Sequence, residues 1–356
     1  MKRLLISLLK IGISAAILAY LGFQAYQNEV FERLADRPKH WGALAAAAAV
    51  CFAAVLLTFV RWFWLVRAVG LPVRFRDALR MSFLGYLFNL APMGIVGGDL
   101  LRAVMLARHQ RGQRAKSLAS VFVDRAIGLY ELFLVASAAI LATGLWQAPV
   151  VEVHVACQAA FVLAAAGTVA VAVPLLPDVS EGKLVAQIGR LPRVGPKLVS
   201  LIETVRMYRW QLPTLAASAA VTVAVHTLFA LGIYLIAVGL YDGVHPLGTQ
   251  LVFVPLSAAT GVLPISLGPF EGVLDLLYAK MPLPDHGQMV AGQGLVVALG
   301  YRIITLLIAA VGMAYYLGSR REVAEILHAE ETQDDSPAAD SAADPAARDS
   351  SALVET

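Results

Sequence analysis

Long apolar stretches separated by short clusters of charged residues dominate the chain. A helix needs roughly 20 apolar residues to cross a hydrocarbon core that is about 30 Å thick. Six stretches meet this length, and each is predicted to be a transmembrane helix. They run approximately from Leu4 to Tyr26, Trp41 to Val66, Ser120 to Trp146, His154 to Leu176, Leu212 to Leu240 and Met289 to Leu317. The pattern therefore predicts an all-α polytopic membrane protein.

Two further apolar stretches, about 78–101 and about 247–280, are interrupted by proline and glycine. Each arm has about 13 to 16 residues, or roughly 20 to 24 Å of helix, which is too short to cross the bilayer. We therefore interpret both segments as re-entrant helical hairpins. A full crossing by the first would put its basic neighbours, Arg67 to Arg80 and Arg102 to Lys116, on opposite faces of the membrane. The second could cross, because 247–267 alone is long enough.

Composition agrees with this class of protein. The chain is 59% hydrophobic and only 15% charged, and its mean hydropathy is +0.71, which excludes an ordinary soluble domain. Residues 322–356 hold ten acids and one arginine, although the whole chain has a net charge of +3. We therefore predict a single basic transmembrane domain over 1–327 and a disordered acidic cytoplasmic tail over 328–356, which has too few apolar residues to pack.

Lysine and arginine are concentrated on one side of the predicted membrane. If both hairpins return to the side that they entered, 19 of these residues lie on one face and only Arg33, Arg37, Lys39 and Lys280 on the other. The positive-inside rule then places both termini in the cytoplasm. A cleaved signal peptide is the alternative for the first span, but Lys10 interrupts its apolar region and no clear cleavage site follows.

The two broken segments resemble each other in sequence. In each, an acid follows the first proline by seven residues, and glycine lies between them. The residues concerned are Pro92, Gly97, Gly98 and Asp99 in the first segment, and Pro264, Gly268 and Glu271 in the second. The glycines permit a tight turn and a close approach of the backbone.

An arginine then lies in the span that follows each broken segment, Arg125 in one half and Arg302 in the other. Each half, about 1–150 and about 151–320, thus contains two spans, one hairpin and one span. An odd number of crossings inverts the second copy, so we predict an inverted repeat. The hairpin tips are expected to meet near the midplane around a polar cavity, because non-helical backbone at that depth needs protein or water around it.

Ionisable side chains at membrane depth are costly, which makes them functional candidates. Arg125 and Arg302 are the best candidates for binding an anionic group, because guanidinium stays charged and binds phosphate oxygens bidentately. The alternative is an internal ion pair in each half, Arg125 with Asp99 and Arg302 with Glu271. The two interpretations coexist if a substrate exchanges for the carboxylate.

The acids have two interpretations as well. Asp99 and Glu271 begin the second arm of each hairpin, so each either caps exposed backbone N–H groups or couples transport to protons. The residues predicted to bind the substrate are Arg125, Arg302, Asp99, Glu271, Arg102, Asp124, Asn89 and Tyr301. Asn89, Tyr301, Tyr86, Ser266, Glu131 and His226 either line the cavity or bond a neighbouring helix. Asp275 is a further acid of the second hairpin. No metal, cofactor or nucleic-acid site is predicted. No enzyme activity is expected, since the common catalytic motifs are absent from the sequence.

Several motifs together carry a family resemblance. They are Asn89-Leu90-Ala91-Pro92, Gly97-Gly98-Asp99-Leu100-Leu101-Arg102, Ser120-Val121-Phe122-Val123-Asp124-Arg125-Ala126-Ile127-Gly128-Leu129, Pro264-Ile265-Ser266-Leu267-Gly268-Pro269-Phe270-Glu271-Gly272 and Tyr301-Arg302. The chain resembles the lysylphosphatidylglycerol synthase transmembrane-region family of flippase-like proteins over roughly residues 4–320. It lacks the aminoacyl-transferase domain of the bifunctional members. Pro269 and Phe270 also stand where many relatives have glycine.

The resemblance implies an inner-membrane protein that moves a lipid head group between leaflets. The leading hypothesis is therefore a flippase for an anionic or aminoacylated phospholipid. Two alternatives stay open. One is an ion-coupled transporter of small solutes on the same scaffold. The other is a non-transporting partner of a lipid-modifying enzyme, with the acidic tail and the basic loop from Lys183 to Arg209 as docking surfaces.

Overall fold

The computed structural model describes residues 2–90, 97–109, 113–148, 150–175, 206–263, 267–283 and 289–320, and also residues 199, 203, 265, 287 and 324. All the elements in these ranges are helices or helical turns, which confirms the all-α prediction for the described residues. Pro92, Pro264, Ser266 and the predicted tail, 328–356, lie outside them.

Eleven α-helices are present in the described ranges. They are α1 (Lys2–Gln27), α2 (Val30–Asp36), α3 (Trp41–Ala68), α4 (Phe75–Leu90), α5 (Gly98–His109), α6 (Arg114–Thr143), α7 (Val151–Leu175), α8 (Leu212–Leu240), α9 (Leu247–Ala259), α10 (Pro269–Lys280) and α11 (Gln293–Leu317). Short 3₁₀ turns occupy Leu145–Gln147, Arg209–Gln211 and Thr260–Val262.

Six of these helices are long and apolar enough to cross a membrane: α1, α3, α6, α7, α8 and α11. They coincide with the six predicted spans, and their ends differ from the predicted ends by a few residues. The pattern of apolar residues does not predict α2. This helix is only seven residues long, which is too short for hydrophobic periodicity to identify.

Two pairs of short helices occupy the broken segments. The first segment holds α4, with 16 residues, and α5, with 12 residues. The second holds α9, with 13 residues, and α10, with 12 residues. Within each pair the two helices pack on each other, and α4 also packs on α11 while α9 packs on α6.

The helices α3 and α8 form a close seam between the two halves of the chain. A Cβ atom added at Gly232 of α8 would lie 2.4 Å from Cys51 Sγ, and one at Gly239 would lie 2.6 Å from Leu44 Cδ2. The His40 N–H also donates to the Gly239 carbonyl at 3.0 Å. Small residues at such positions let helices in a membrane approach each other closely.

The first helix packs against the second pair of short helices. A Cβ atom at Gly268 would lie 3.1 Å from Ile17 of α1, and one at Gly292 would lie 2.5 Å from the Ala25 backbone. The Asn28 side chain donates to the Ala291 carbonyl at 2.8 Å. The described part of α1 is thus integrated into the fold beside α10 and α11.

Candidate functional site

The first ion pair joins the first turn of α5 to α6. Arg125 Nε donates to Asp99 Oδ2 at 2.5 Å, and Arg125 Nη2 donates to Asp99 Oδ1 at 2.7 Å. Asn89, near the end of α4, donates to the same Oδ1 at 3.4 Å. The side chain of Arg125 is 57% exposed and that of Asp99 is 29% exposed. This bidentate pair is therefore reachable from outside the packed helices.

A second ion pair lies deeper in the same half and joins three helices. Arg61 Nε of α3 donates to Asp124 Oδ1 of α6 at 2.8 Å, and Nη2 donates to the Asp124 carbonyl at 3.1 Å. Nη1 donates to Thr222 Oγ1 of α8 at 3.0 Å. Both charged side chains are buried. A Cβ atom at Gly128 would lie 3.3 Å from Arg61 Nη2, so glycine leaves room for the guanidinium.

Arg102 of α5 lies between these two ion pairs. Its Nη1 is 3.7 Å from Asp99 Oδ1 and 3.9 Å from Asp124 Oδ2. Its guanidinium carbon lies 4.1 Å from the centre of the Trp62 ring, a distance at which cation–π attraction contributes. Arg102 Nε and Nη2 are buried without a hydrogen-bond partner among the described residues, and so is Trp62 Nε1.

The second half contains the corresponding pair between α10 and α11. Arg302 Nε donates to Glu271 Oε1 at 2.6 Å. Glu271 Oε2 accepts the backbone N–H of Gly268 at 2.8 Å, and Gly268 is the N-cap residue of α10. Gly268 has φ +103°, a conformation that favours glycine. Glu271 therefore both caps a helix and binds an arginine.

Aromatic rings surround Arg302, whereas charged groups surround Arg125. The Arg302 guanidinium carbon lies 5.8 Å from the centre of the Phe270 ring. Tyr301 packs on Phe270 at 5.7 Å between ring centres and on Phe229 at 6.2 Å. Tyr301 directly precedes Arg302, whereas Asp124 directly precedes Arg125. The corresponding arginines of the two halves therefore follow an aromatic residue in one half and an acid in the other.

Asp275, predicted as a further acid of the second hairpin, has a structural role. Its Oδ1 accepts the N–H of Gly292 at 2.8 Å and the N–H of Leu295 at 3.0 Å. Its Oδ2 also accepts the Gly292 N–H, at 3.1 Å. These N–H groups lie at the start of α11, where backbone donors have no acceptor within the helix. Asp275 therefore caps α11 from α10.

The glycines at the first hairpin differ in how closely their neighbours approach. A Cβ atom at Gly98 would lie 1.7 Å from the Gly85 carbonyl oxygen, so α4 and α5 touch through their backbones. Among the described residues, a Cβ atom at Gly97 would meet only Asn89 Oδ1, at 3.9 Å. The predicted need for glycine thus applies to Gly98 through packing and to Gly268 through its φ.

Two other predicted residues, His226 and Glu131, lie among the packed helices. His226 Nε2 of α8 lies 3.1 Å from the Gly128 carbonyl of α6, which matches a role in helix packing. Glu131 is buried on α6. In the described part of the chain no cluster of three or more His, Cys, Asp or Glu side chains could hold a metal ion.

A groove of about 200 Å³ lies between α3 and α11, and its lining includes no residue of the ion pairs. Apolar side chains line it: Ala48, Phe52, Ile304, Leu307, Ile308 and Val311. Such a lining suits contact with lipid chains and offers no group that could bind a head group.

A family model described as the lysylphosphatidylglycerol synthase TM region matches residues 7–312. The match covers most of the chain and includes both broken segments and both arginine–acid pairs of the hairpins. No curated protein matches the sequence.

Proposed function

Because the chain belongs to the lysylphosphatidylglycerol synthase TM region family, we propose that it is a lipid flippase of the inner membrane. It moves an anionic or aminoacylated head group through a central polar cavity while the acyl chains stay in the bilayer. The observation that carries this proposal is the exposed bidentate bond between Arg125 and Asp99. It keeps a charged guanidinium at membrane depth in a position that a phosphate can reach.

The lengths of the short helices support two re-entrant hairpins. The longest of them, α4, has 16 residues, which corresponds to about 24 Å of helix. All four short helices are therefore shorter than the hydrocarbon core, which is roughly 30 Å thick. The close contact between Gly85 and Gly98 brings α4 and α5 side by side, as the two arms of a hairpin require. Both termini are then cytoplasmic.

The packing of the helices supports an inverted repeat. The contact of α4 with α11 has a counterpart in that of α9 with α6, and the contact of α5 with α6 has a counterpart in that of α10 with α11. In each half an acid at the start of the second arm bonds an arginine in the next span. Three spans per half invert the second copy, so the hairpins open to opposite sides.

The arginines suggest how a head group is held. A phosphate presents two oxygens in the geometry that a carboxylate offers, so it can replace Asp99 on Arg125 without leaving a guanidinium unpaired. Arg302 exchanges its partner in the same way. Glu271 then keeps the Gly268 N–H, which stabilises its charge while the arginine binds the substrate.

Lipid movement in vesicles tests this function. We expect Arg125→Gln and Arg302→Gln each to slow the transfer of a fluorescent anionic phospholipid between leaflets by about a hundredfold, because each removes a charge-assisted bidentate contact. The rate is measured by dithionite quenching after reconstitution of the purified protein. Arg33→Gln is the matched control, since Arg33 forms an exposed pair with Glu29 within one helical turn.

The two alternatives give different results in the same experiment. Normal lipid movement in both arginine variants would reject the flippase site. Uptake of a water-soluble solute without lipid movement would favour the solute transporter. Co-purification of a lipid-modifying enzyme whose activity survives loss of both arginines would favour the docking partner.

A further inference from the structure

Three guanidinium groups lie near the first hairpin, those of Arg61, Arg102 and Arg125. Two carboxylates lie beside them in the described residues, those of Asp99 and Asp124. Arg61 bonds Asp124 through a carboxylate oxygen and the carbonyl. Arg125 bonds both carboxylate oxygens of Asp99. Arg102 lies beside both acids, but each of them is already bonded to another arginine.

Within the described residues, no acceptor lies at hydrogen-bonding distance from the Arg102 guanidinium. Its approaches to Asp99 and Asp124, at 3.7 and 3.9 Å, exceed the normal range for a hydrogen bond. Its Nε and Nη2 have no partner among the described residues, and its side chain is only 7% exposed. Trp62 covers one face of the guanidinium. A buried cation in this state is poised to accept a carboxylate that becomes free.

We propose that Asp99 exchanges between Arg125 and Arg102 as an anionic head group binds and leaves. This inference rests on the proposed function, because the phosphate has to displace Asp99 from Arg125. The displaced carboxylate turns toward Arg102, which lies one helical turn along α5 and already sits within ion-pair distance. Arg102 is thus a positioning residue, which holds Asp99 while Arg125 binds the substrate.

The exchange changes which helices are tied together. The bond between Asp99 and Arg125 joins α5 to α6, whereas a bond between Asp99 and Arg102 lies within α5. Binding of the head group therefore breaks one ion pair between α5 and α6, while the packing contacts of the two helices remain. Departure of the head group restores the bond between the helices, so occupancy of the site and freedom of the hairpin are coupled.

The second hairpin lacks the residue that this exchange needs. The position three residues beyond Glu271 is Leu274, which is fully buried. Glu271 instead bonds the backbone of its own helix at Gly268. The proposed exchange is therefore confined to the first hairpin.

A double-mutant cycle on the full chain tests the proposal, with binding of phosphatidylglycerol measured in nanodiscs of phosphatidylcholine. We expect Arg102→Gln to weaken binding about tenfold, because Asp99 then stays on Arg125. In the Asp99→Asn background the same change should weaken binding by less than about twofold, because no charged competitor has to be moved. Arg108→Gln, on the same helix, is the control for loss of one positive charge.

The cycle separates the exchange from other roles of Arg102. An equal loss in both backgrounds would overturn the proposal, because Arg102 would then act independently of Asp99, through folding or through direct contact with the phosphate. If Arg125→Gln leaves phosphatidylglycerol binding unchanged, the proposed site itself fails. If Arg125→Gln abolishes binding while the cycle is additive, only the exchange fails.

Discussion

At the residue scale, three acids near the hairpins use their oxygens in different ways. Asp99 bonds a guanidinium with both oxygens, Glu271 divides its oxygens between a guanidinium and a backbone N–H, and Asp275 accepts backbone N–H groups. The surrounding donors therefore decide the role of each carboxylate. A carboxylate oxygen that bonds a guanidinium can be replaced by an oxygen of an anionic ligand, whereas the oxygens of Asp275, which accept backbone N–H groups, have no such exchange partner.

The capping role of Asp275 gives a prediction about stability. We expect Asp275→Ala to destabilise the protein by about 1 to 2 kcal/mol, because it leaves the first turn of α11 without its acceptor. Asp275→Asn should retain most of the stability, since one oxygen, Oδ1, accepts from both Gly292 and Leu295. Thermal unfolding in detergent measures both effects. An equal loss in the two variants would show that the charge, not the acceptor, matters.

Some of the ion pairs could be predicted from the sequence and one could not. The pairs Arg125 with Asp99 and Arg302 with Glu271 could be predicted, because a charge at membrane depth needs a partner and each half offers one acid at the same position of its motif. The bond from Arg61 to Asp124 could not. It joins residues 63 positions apart, and only the packing of α3 on α6 brings them together.

At the scale of secondary-structure elements, the first hairpin depends on backbone contact between its arms. The Gly98 position leaves no space for a Cβ atom beside Gly85, whereas the nearest described neighbour of a Cβ atom at Gly97 lies at 3.9 Å. Of these two adjacent glycines, packing against the described residues therefore requires only Gly98. This difference provides a matched pair of substitutions.

We expect Gly98→Ala to destabilise the hairpin by about 1 to 3 kcal/mol or more, because the methyl group has to push α4 and α5 apart. Gly97→Ala should change stability by less than about 0.5 kcal/mol. Detergent melting curves and the yield of monodisperse protein measure the two effects. Tolerance of alanine at Gly98 would contradict the close packing of the arms.

Among the elements, the long spans could be predicted from sequence and α2 could not. Each span is identified by its apolar length, which the bilayer sets. The seven residues of α2 follow Glu29, whose φ is +55°, and neither apolar length nor periodicity marks this turn. The two pairs of short helices could be located because proline and glycine interrupt the apolar stretches that contain them.

At the scale of the whole molecule, the orientation in the membrane follows from the distribution of basic residues. Arg74 precedes α4, and Arg114 begins α6. If α4 and α5 form the proposed re-entrant hairpin, we expect both positions on the cytoplasmic side. We expect Asp36, at the end of α2, on the other side, because α1 and α3 are both long and apolar enough to cross the membrane.

Cysteine labelling tests this arrangement. In a background with Cys51→Ala and Cys157→Ala, we expect Arg74→Cys and Arg114→Cys to react with a membrane-impermeant maleimide from the cytoplasmic side. Asp36→Cys should react from the opposite side. All three positions are exposed in the structure. Labelling of Arg74→Cys and Arg114→Cys from different sides would show that the segment between them crosses the membrane.

The seam between α3 and α8 has a consequence for how such a molecule moves. With Cys51 seated at Gly232 and Leu44 at Gly239, the two helices have little room to slide or roll against each other. They therefore form a closely packed pair of helices, with one helix from each half of the chain. For the proposed lipid transport we therefore expect the short helices to move around this pair, and we expect no rigid tilting of one half against the other. One spin label on α3 and one on α8 should therefore report a single, unchanged distance throughout the proposed transport cycle.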